Sequence, residues 1–312
     1  MGQYAQNFRR LAFFLAFAII AVMIGCEKRN ARAVPHSTTA SGRLPAIASV
    51  VPAATDILLE MGAADQLVGV SNYEPKTAPD RTRYARVGDY QVIDWEQLSV
   101  IRPNVLAITS PKKDLTEVFQ QRAKSLDIEL LDIRMDRVDD IYPVISRLGD
   151  AIGQKSKADQ LLARMRQEIA AVRAQAADKP KVRTLIALNH AATFIVGPRN
   201  YLDDLLTVAG GSNVAGTGQK DFPEIDREML VQLDPDAIIL LLPEAPTQVV
   251  EAAKSFFAGL PQLRAVRTNR LYIHTQWYLT LPTARAGKVA QLMVDDLHPL
   301  TAAAPTTTTV GQ

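Results

Sequence analysis

Few side chains in this chain are spaced for covalent chemistry. Asp203 and Asp204 look like a carboxylate pair, but neighbours on a helix point about 100° apart, and one of the two is expected to serve as a cap. The four histidines stand too far apart for a helical or hairpin metal motif. No nucleophile elbow, phosphate-binding loop or dinucleotide fingerprint occurs, so the sequence points away from an enzyme. What remains is binding chemistry, on loops that follow strand-like runs: Tyr73, Asp89, Tyr90, Ser110, His190, Phe194, Phe222, Trp277 and Tyr278. Aromatic residues make up 6% of the chain, yet several fall on these loops. Exposed π-faces suit a large, flat ligand; the same residues could instead plug core edges.

Tyr90 and Phe222 stand out because each lies just before a copy of one repeated phrase. Ile93–Ile108 reads IDWEQLSVIRPNVLAI and Ile225–Leu240 reads IDREMLVQLDPDAIIL, 132 positions apart (225 minus 93). Isoleucine, aspartate, glutamate, leucine and proline recur in register. The flanks repeat too: a strand-like run, a loop and ILLEMGAADQLVG (Ile57–Gly69) precede the first copy, and an equivalent run, loop and DLLTVAGGSNVAG (Asp204–Gly216) precede the second. Two similar lobes follow, with a cleft between them lined by loops at the carboxyl ends of strands. Glu96 and Glu228 occupy equivalent first-turn positions, where the helix dipole favours a carboxylate whatever else it does.

The elements that would hold these residues alternate. Strands are expected at Ala46–Val51, Leu67–Val70, Val105–Thr109 and Glu129–Ile133, and helices at Ala54–Met61, Trp95–Ile101, Leu115–Leu126 and Ile141–Ile152. From Lys155 to Ala177 no glycine or proline interrupts, and Ala158, Leu161, Leu162, Met165, Ile169 and Val172 share one face. That helix would span roughly 35 Å and join the lobes stiffly. The second lobe repeats the theme, with strands at Val182–Leu188, Ala237–Leu242 and Leu271–His274 and helices at Leu202–Val208, Glu228–Leu233, Val249–Phe257 and Thr283–Leu297. The division is therefore 44–153, linking helix 154–179, 180–300, and a low-complexity tail 301–312 expected to be disordered. The fold class is α/β with parallel sheets.

Composition agrees with a globular protein at 47% hydrophobic and 22% charged residues. A net charge of +2 without a recurring basic stretch argues against a nucleic-acid surface. The single cysteine, Cys26, excludes an internal disulfide. Arg9 and Arg10 precede the uncharged run Leu11–Gly25, which is short for a membrane span and reads as a signal peptide over residues 1–25. Met23-Ile24-Gly25 before Cys26 resembles a bacterial lipobox, which implies a lipidated cysteine and a polar tether over 26–43. An uncleaved anchor helix and a plain secretory signal are the other readings.

Several stretches together resemble the periplasmic binding proteins of ABC importers for iron complexes and cobalamin. They are AIASVVPAATDILLEMGAADQLVGVSNY, WEQLSVIRPNVLAI, REMLVQLDPDAIIL, FFAGLPQLRAVRTNRLYI and DDLHP at Asp295–Pro299, covering about Arg43–Leu300. The resemblance implies two α/β lobes joined by one long helix, no intrinsic cofactor, and a monomer. It implies delivery to a permease dimer with its cytoplasmic ATPase. It casts Glu96 and Glu228 as one acidic docking contact per lobe. Cobalamin leads as the implied ligand, ahead of an iron chelate or haem. In the haem-binding branch a tyrosine follows the valine of a Val-Gly-Tyr segment by two places; here that segment is Val87-Gly88-Asp89-Tyr90, and a histidine near His190 is the other ligand. Arg199 and Arg285 are candidates for an anionic ligand. An extracytoplasmic ligand sensor is the reading outside import.

Overall fold

The computed structural model describes residues 44–110, 117–216, 218, 220–299 and 308–309. The expected signal peptide, tether and Cys26 lie outside them. The first lobe runs β1 (Ile47–Ser49), α1 (Pro52–Glu60), β2 (Leu67–Val70), β3 (Ala85–Arg86), α2 (Trp95–Ile101), β4 (Val105–Ile108), α3 (Glu117–Ser125), β5 (Glu129–Asp132) and α4 (Val138–Ala151). The linking helix is α5 (Lys155–Ala176). The second lobe runs β6 (Val182–Ala187), α6 (Tyr201–Val208), β7 (Gly211–Asn213), α7 (Arg227–Leu233), β8 (Ala237–Leu241), α8 (Thr247–Ala258), α9 (Arg264–Arg267), β9 (Leu271–His274) and α10 (Ala286–Leu297). A two-residue strand, β10 (Thr308–Thr309), follows.

All strand pairs are parallel, in the orders β3-β2-β1-β4-β5 and β10-β9-β8-β6-β7. In each lobe the first strand therefore lies between the second strand and the strand that follows the repeated helix. The duplication extends to single bonds. Asp94 Oδ1 accepts from Gln97 N at 2.8 Å, and Asp226 Oδ1 accepts from Met229 N at 2.7 Å. Each helix buries one leucine, Leu98 or Leu230. Each ends on a left-handed residue, Arg102 (φ 47°) or Asp234 (φ 36°), before a proline leads into the strand.

Both sheets are covered on both faces, as parallel sheets require. One hydrophobic cluster is shared by the two lobes and runs along α5 through Leu161, Met165 and Ile169. Two further clusters fill the outer faces. The linking helix lies against α4 of the first lobe and α10 of the second. Small residues allow both approaches. A β-carbon on Gly149 would meet Ala158 Cβ at 2.4 Å, and one on Gly287 would meet Glu168 Cβ at 2.4 Å. Because the linker belongs to the core of both lobes, bending it would expose apolar surface.

The sequence reading differs from the structure at edges and ends. Strands β3 and β7 carry no apolar run and form because β2 and β6 offer unpaired backbone edges. Helix α4 starts at Val138 rather than Ile141, with the Asp140 carboxylate accepting from Arg137 N at 2.8 Å. Helix α10 starts at Ala286 rather than Thr283, whose hydroxyl instead accepts from Arg285 N at 3.1 Å. In the tail expected to be disordered, Thr308–Thr309 pairs with Ile273 and His274; the rest of 301–312 lies outside the described residues. No helix among the described residues is long and apolar enough to cross a membrane.

Candidate functional site

The predicted aromatics fall into one exposed pair per lobe, set on the loops beyond strand ends. Tyr73 and Tyr90 have ring centroids 5.9 Å apart in the first lobe, and Phe194 and Phe222 lie 5.8 Å apart in the second. All four are among the exposed large side chains, from 37% exposure at Phe194 to 57% at Tyr73. Water-exposed aromatic pairs give no return in folding free energy comparable to buried ones, so their position invites a function. The Tyr90 hydroxyl accepts from Gln91 Nε2 at 2.9 Å.

A cavity of about 210 Å³ opens between the lobes. Met135 and Asp136, beyond β5, line it from the first lobe. Leu188, Arg199, Asp221 and Phe222 line it from the second. Pockets that hold drug-sized ligands run to about 300–1,000 Å³, so this space takes part of a large ligand rather than all of it.

Trp277 and Tyr278 meet edge to face at 5.5 Å, but they belong to a different construction. The guanidinium carbons of Arg81 and Arg285 lie 5.1 and 4.9 Å from the Trp277 ring centroid. Both arginines converge on Asp56, which is completely buried: Arg81 NH2 lies 3.0 Å from Oδ1 and Arg285 Nε 3.0 Å from Oδ2. Arg285 also reaches Glu60 Oε1 at 2.6 Å, and Arg81 Nε lies 3.1 Å from Glu74 Oε2. Trp277 is thus half-buried under cations at the junction of the lobes, and Arg285 is held by two carboxylates rather than offered to a ligand. Burial is the strongest influence on Glu74 and raises its carboxyl to about 7, against the lowering effects of Thr55 and Arg81.

Two further contacts tie the lobes. Arg137, before α4, forms a two-pronged ion pair with Asp204 on α6, whose Oδ2 also accepts from Val138 N at 3.1 Å. Thr77 N donates to Glu244 Oε1. The expectation that Asp203 or Asp204 caps α6 is corrected. Asn200 is the cap, accepting from Leu202 N and Asp203 N, while Asp203 Oδ2 accepts from Arg199 N at 3.0 Å.

Other predicted residues separate. Asp89 spends one carboxylate oxygen on its own loop: Oδ1 accepts from Gln91 N at 2.9 Å and Val92 N at 3.0 Å, forming the turn that leads into α2. Ser110 is buried at the end of β4, its N–H donating to Asp132 Oδ1 and its carbonyl accepting from Arg134. His190 is exposed just after β6. Glu96 and Glu228 are exposed on the first turns of α2 and α7. Among the described residues no three histidine, cysteine or acidic side chains gather as a metal site. The ion-paired junction escaped the sequence reading. Its one local signal was Asp56 on the apolar face of α1, an acid that burial obliges to find a cation.

A family model described as periplasmic binding protein matches residues 47–276. Among curated proteins, the chain is 25% identical over 196 residues to the vitamin B12-binding protein of Salmonella choleraesuis (strain SC-B67), covering 63% of this chain and 72% of that one. It is 24% identical over 277 residues to the high-affinity heme uptake system protein IsdE of Staphylococcus aureus (strain MRSA252), covering 84% and 89%. Among solved structures, the periplasmic vitamin B12 binding protein BtuF of Vibrio cholerae superposes with a TM-score of 0.68 at 20% identity, over 81% of this chain and 96% of that one.

Proposed function

The chain belongs to the periplasmic binding protein family, and on that premise we propose that it is the substrate-binding component of an ABC importer. It captures a flat, metal-centred chelate between its lobes, cobalamin first and an iron chelate or haem second, and hands it to a membrane permease. The observation that carries this reading is the matched placement of two exposed aromatic pairs, Tyr73–Tyr90 and Phe194–Phe222, one on each lobe. A macrocycle presents two broad faces, which surfaces lined mainly by aromatic side chains with a few polar groups can contact. Curated relatives named for vitamin B12 binding and for heme uptake support the class of ligand. The family works outside the cytoplasmic membrane. Cys26, outside the described residues, is proposed as the lipidated anchor, and Glu96 and Glu228 as the permease contacts.

The test is the visible spectrum of the purified protein after mixing with cobalamin, haemin or a ferric siderophore. Co-elution of a cobalamin band, with Trp277 fluorescence quenched, is the expected result. Tight binding of haemin alone would reverse the ligand ranking, and binding of none would remove the proposal.

A further inference from the structure

The ties between the lobes differ in what carries them. Arg137, just after β5 at one edge of the first sheet, pairs with Asp204. Asp56, on the helix after the central strand β1, pairs with Arg285. The contact of Thr77 N with Glu244 Oε1 instead hangs on the connection from β2 to β3, at the opposite edge. That connection, Ser71–Tyr84, holds no helix or strand. Connections this long without structure of their own are uncommon in compact domains and most often serve as binding loops or lids. Its ends and flank are fixed. Asn72 N donates to Gly88 O at 2.7 Å, the Tyr84 hydroxyl donates to Ala64 O at 3.2 Å, and the buried Arg81 lies against Glu74 and Asp56.

The tip of the segment is different. Lys76, Thr77, Pro79 and Asp80 are exposed, and the tip meets the second lobe at Glu244. Burial alone would raise the Glu244 carboxyl, but the Thr77 N–H and the Lys76 N–H and ammonium outweigh it and hold it below its usual range. Glu244 is a fixed post. It lies between Pro243 and Pro246 on the turn from β8 to α8, and its N–H donates to Thr275 O at 2.9 Å. Its φ of 57° is left-handed, where glycine would be unstrained. Residues held in that region gather at clamps and switches. Tyr73, one of the exposed aromatic pair, belongs to the same segment and adjoins Glu74.

We propose that Ser71–Tyr84 is a strap across one end of the interlobe cleft and that Glu244 is its latch, a positioning residue that holds the strap, and Tyr73 with it, against the second lobe and so governs ligand release. This rests on the reading of the cleft as the ligand site. The first lobe's cavity residues, Met135 and Asp136, stand beyond β5, so the strap bounds the other end of the cleft. Breaking the Glu244 contact frees the tip while Arg81 keeps the flank in place. A hydrogen bond to a charged acceptor is strong enough to hold a loop and weak enough to break in each transport cycle.

Two measurements test the latch, one of them without ligand. Amide hydrogen exchange of the free protein should show the tip exchanging about tenfold or more faster in Glu244→Ala than in wild type, the worth of one hydrogen bond to a charged acceptor. Strands β2 and β3 should exchange as before. Bound cyanocobalamin, or haemin, should leave Glu244→Ala faster by a similar factor, with entry no slower. Glu244→Gln, which keeps an acceptor oxygen without the charge, should fall between the two. Unchanged exchange at the tip would overturn the proposal, as would equal acceleration of release by Arg137→Ala, which would mark a general loosening of the lobes. Binding of a probe with unchanged release from Glu244→Ala would remove the latch alone. Binding of neither probe by wild type would remove the transport reading, and the latch with it.

Discussion

Arg285, just before the last helix, reaches across the lobes to Asp56 on the first helix, with Nε 3.0 Å from Oδ2. Asp56 is fully buried and shares its other oxygen with Arg81. The two charges stand 229 positions apart in the chain. Removing a buried partner strands the other charge, which is the costly way to break such a pair. Asp56→Ala should therefore lower unfolding free energy by about 3–5 kcal/mol in chemical denaturation. A loss below about 1 kcal/mol would show that the junction is screened by water and contributes little.

The Glu74 carboxyl predicts a pH dependence. A carboxyl whose folded pKa lies above its unfolded value, here about 7 against 4.5, binds its proton more tightly in the folded state. Its contribution to stability is full below about 4.5 and is lost as pH rises through about 7. Glu74→Gln, which mimics the protonated form, should narrow the fall in stability that wild type shows between pH 5 and 8. Parallel stability curves for wild type and variant across that interval would refute the assignment.

Glu96 and Glu228 are exposed at equivalent points of two equivalent helices, so they can be altered without disturbing a core. Their reversal to lysine should leave ligand affinity unchanged and abolish ligand-stimulated transport in reconstituted vesicles, because such charges steer encounter and fix orientation. Each reversal should cost stability only a few tenths to about 1 kcal/mol, the dipole's share. Transport at the wild-type rate by the double variant would reject the docking role.

The aromatic pairs give a graded expectation. Tyr90→Ala and Phe222→Ala should each weaken chelate binding by about tenfold or more, from lost contact area on an exposed face. Neither should shift the melting temperature by more than a degree or two. A lowered melting temperature with unchanged affinity would return these rings to a packing role.

The elements and their duplication are legible in the chain because they depend on near neighbours. Apolar spacing placed the strands and helices of both lobes. The repeated aspartate, glutamate, leucine and proline each keep the same place twice: cap, first turn, buried contact and helix exit. Edge strands such as Gly211–Asn213 lay beyond this reading, since the edge of β6 creates them rather than their own side chains. Which polar groups remain available depends on how the lobes pack. Of two plausible cleft residues on the chain, Arg285 is taken up by an interlobe ion pair and Asp89 gives one carboxylate oxygen to a turn. Arg199, of the same residue type as Arg285, lines the cavity, and among the described residues no carboxylate pairs with its guanidinium. The partner of Arg285 lies 229 positions away, and no local pattern encodes that pairing.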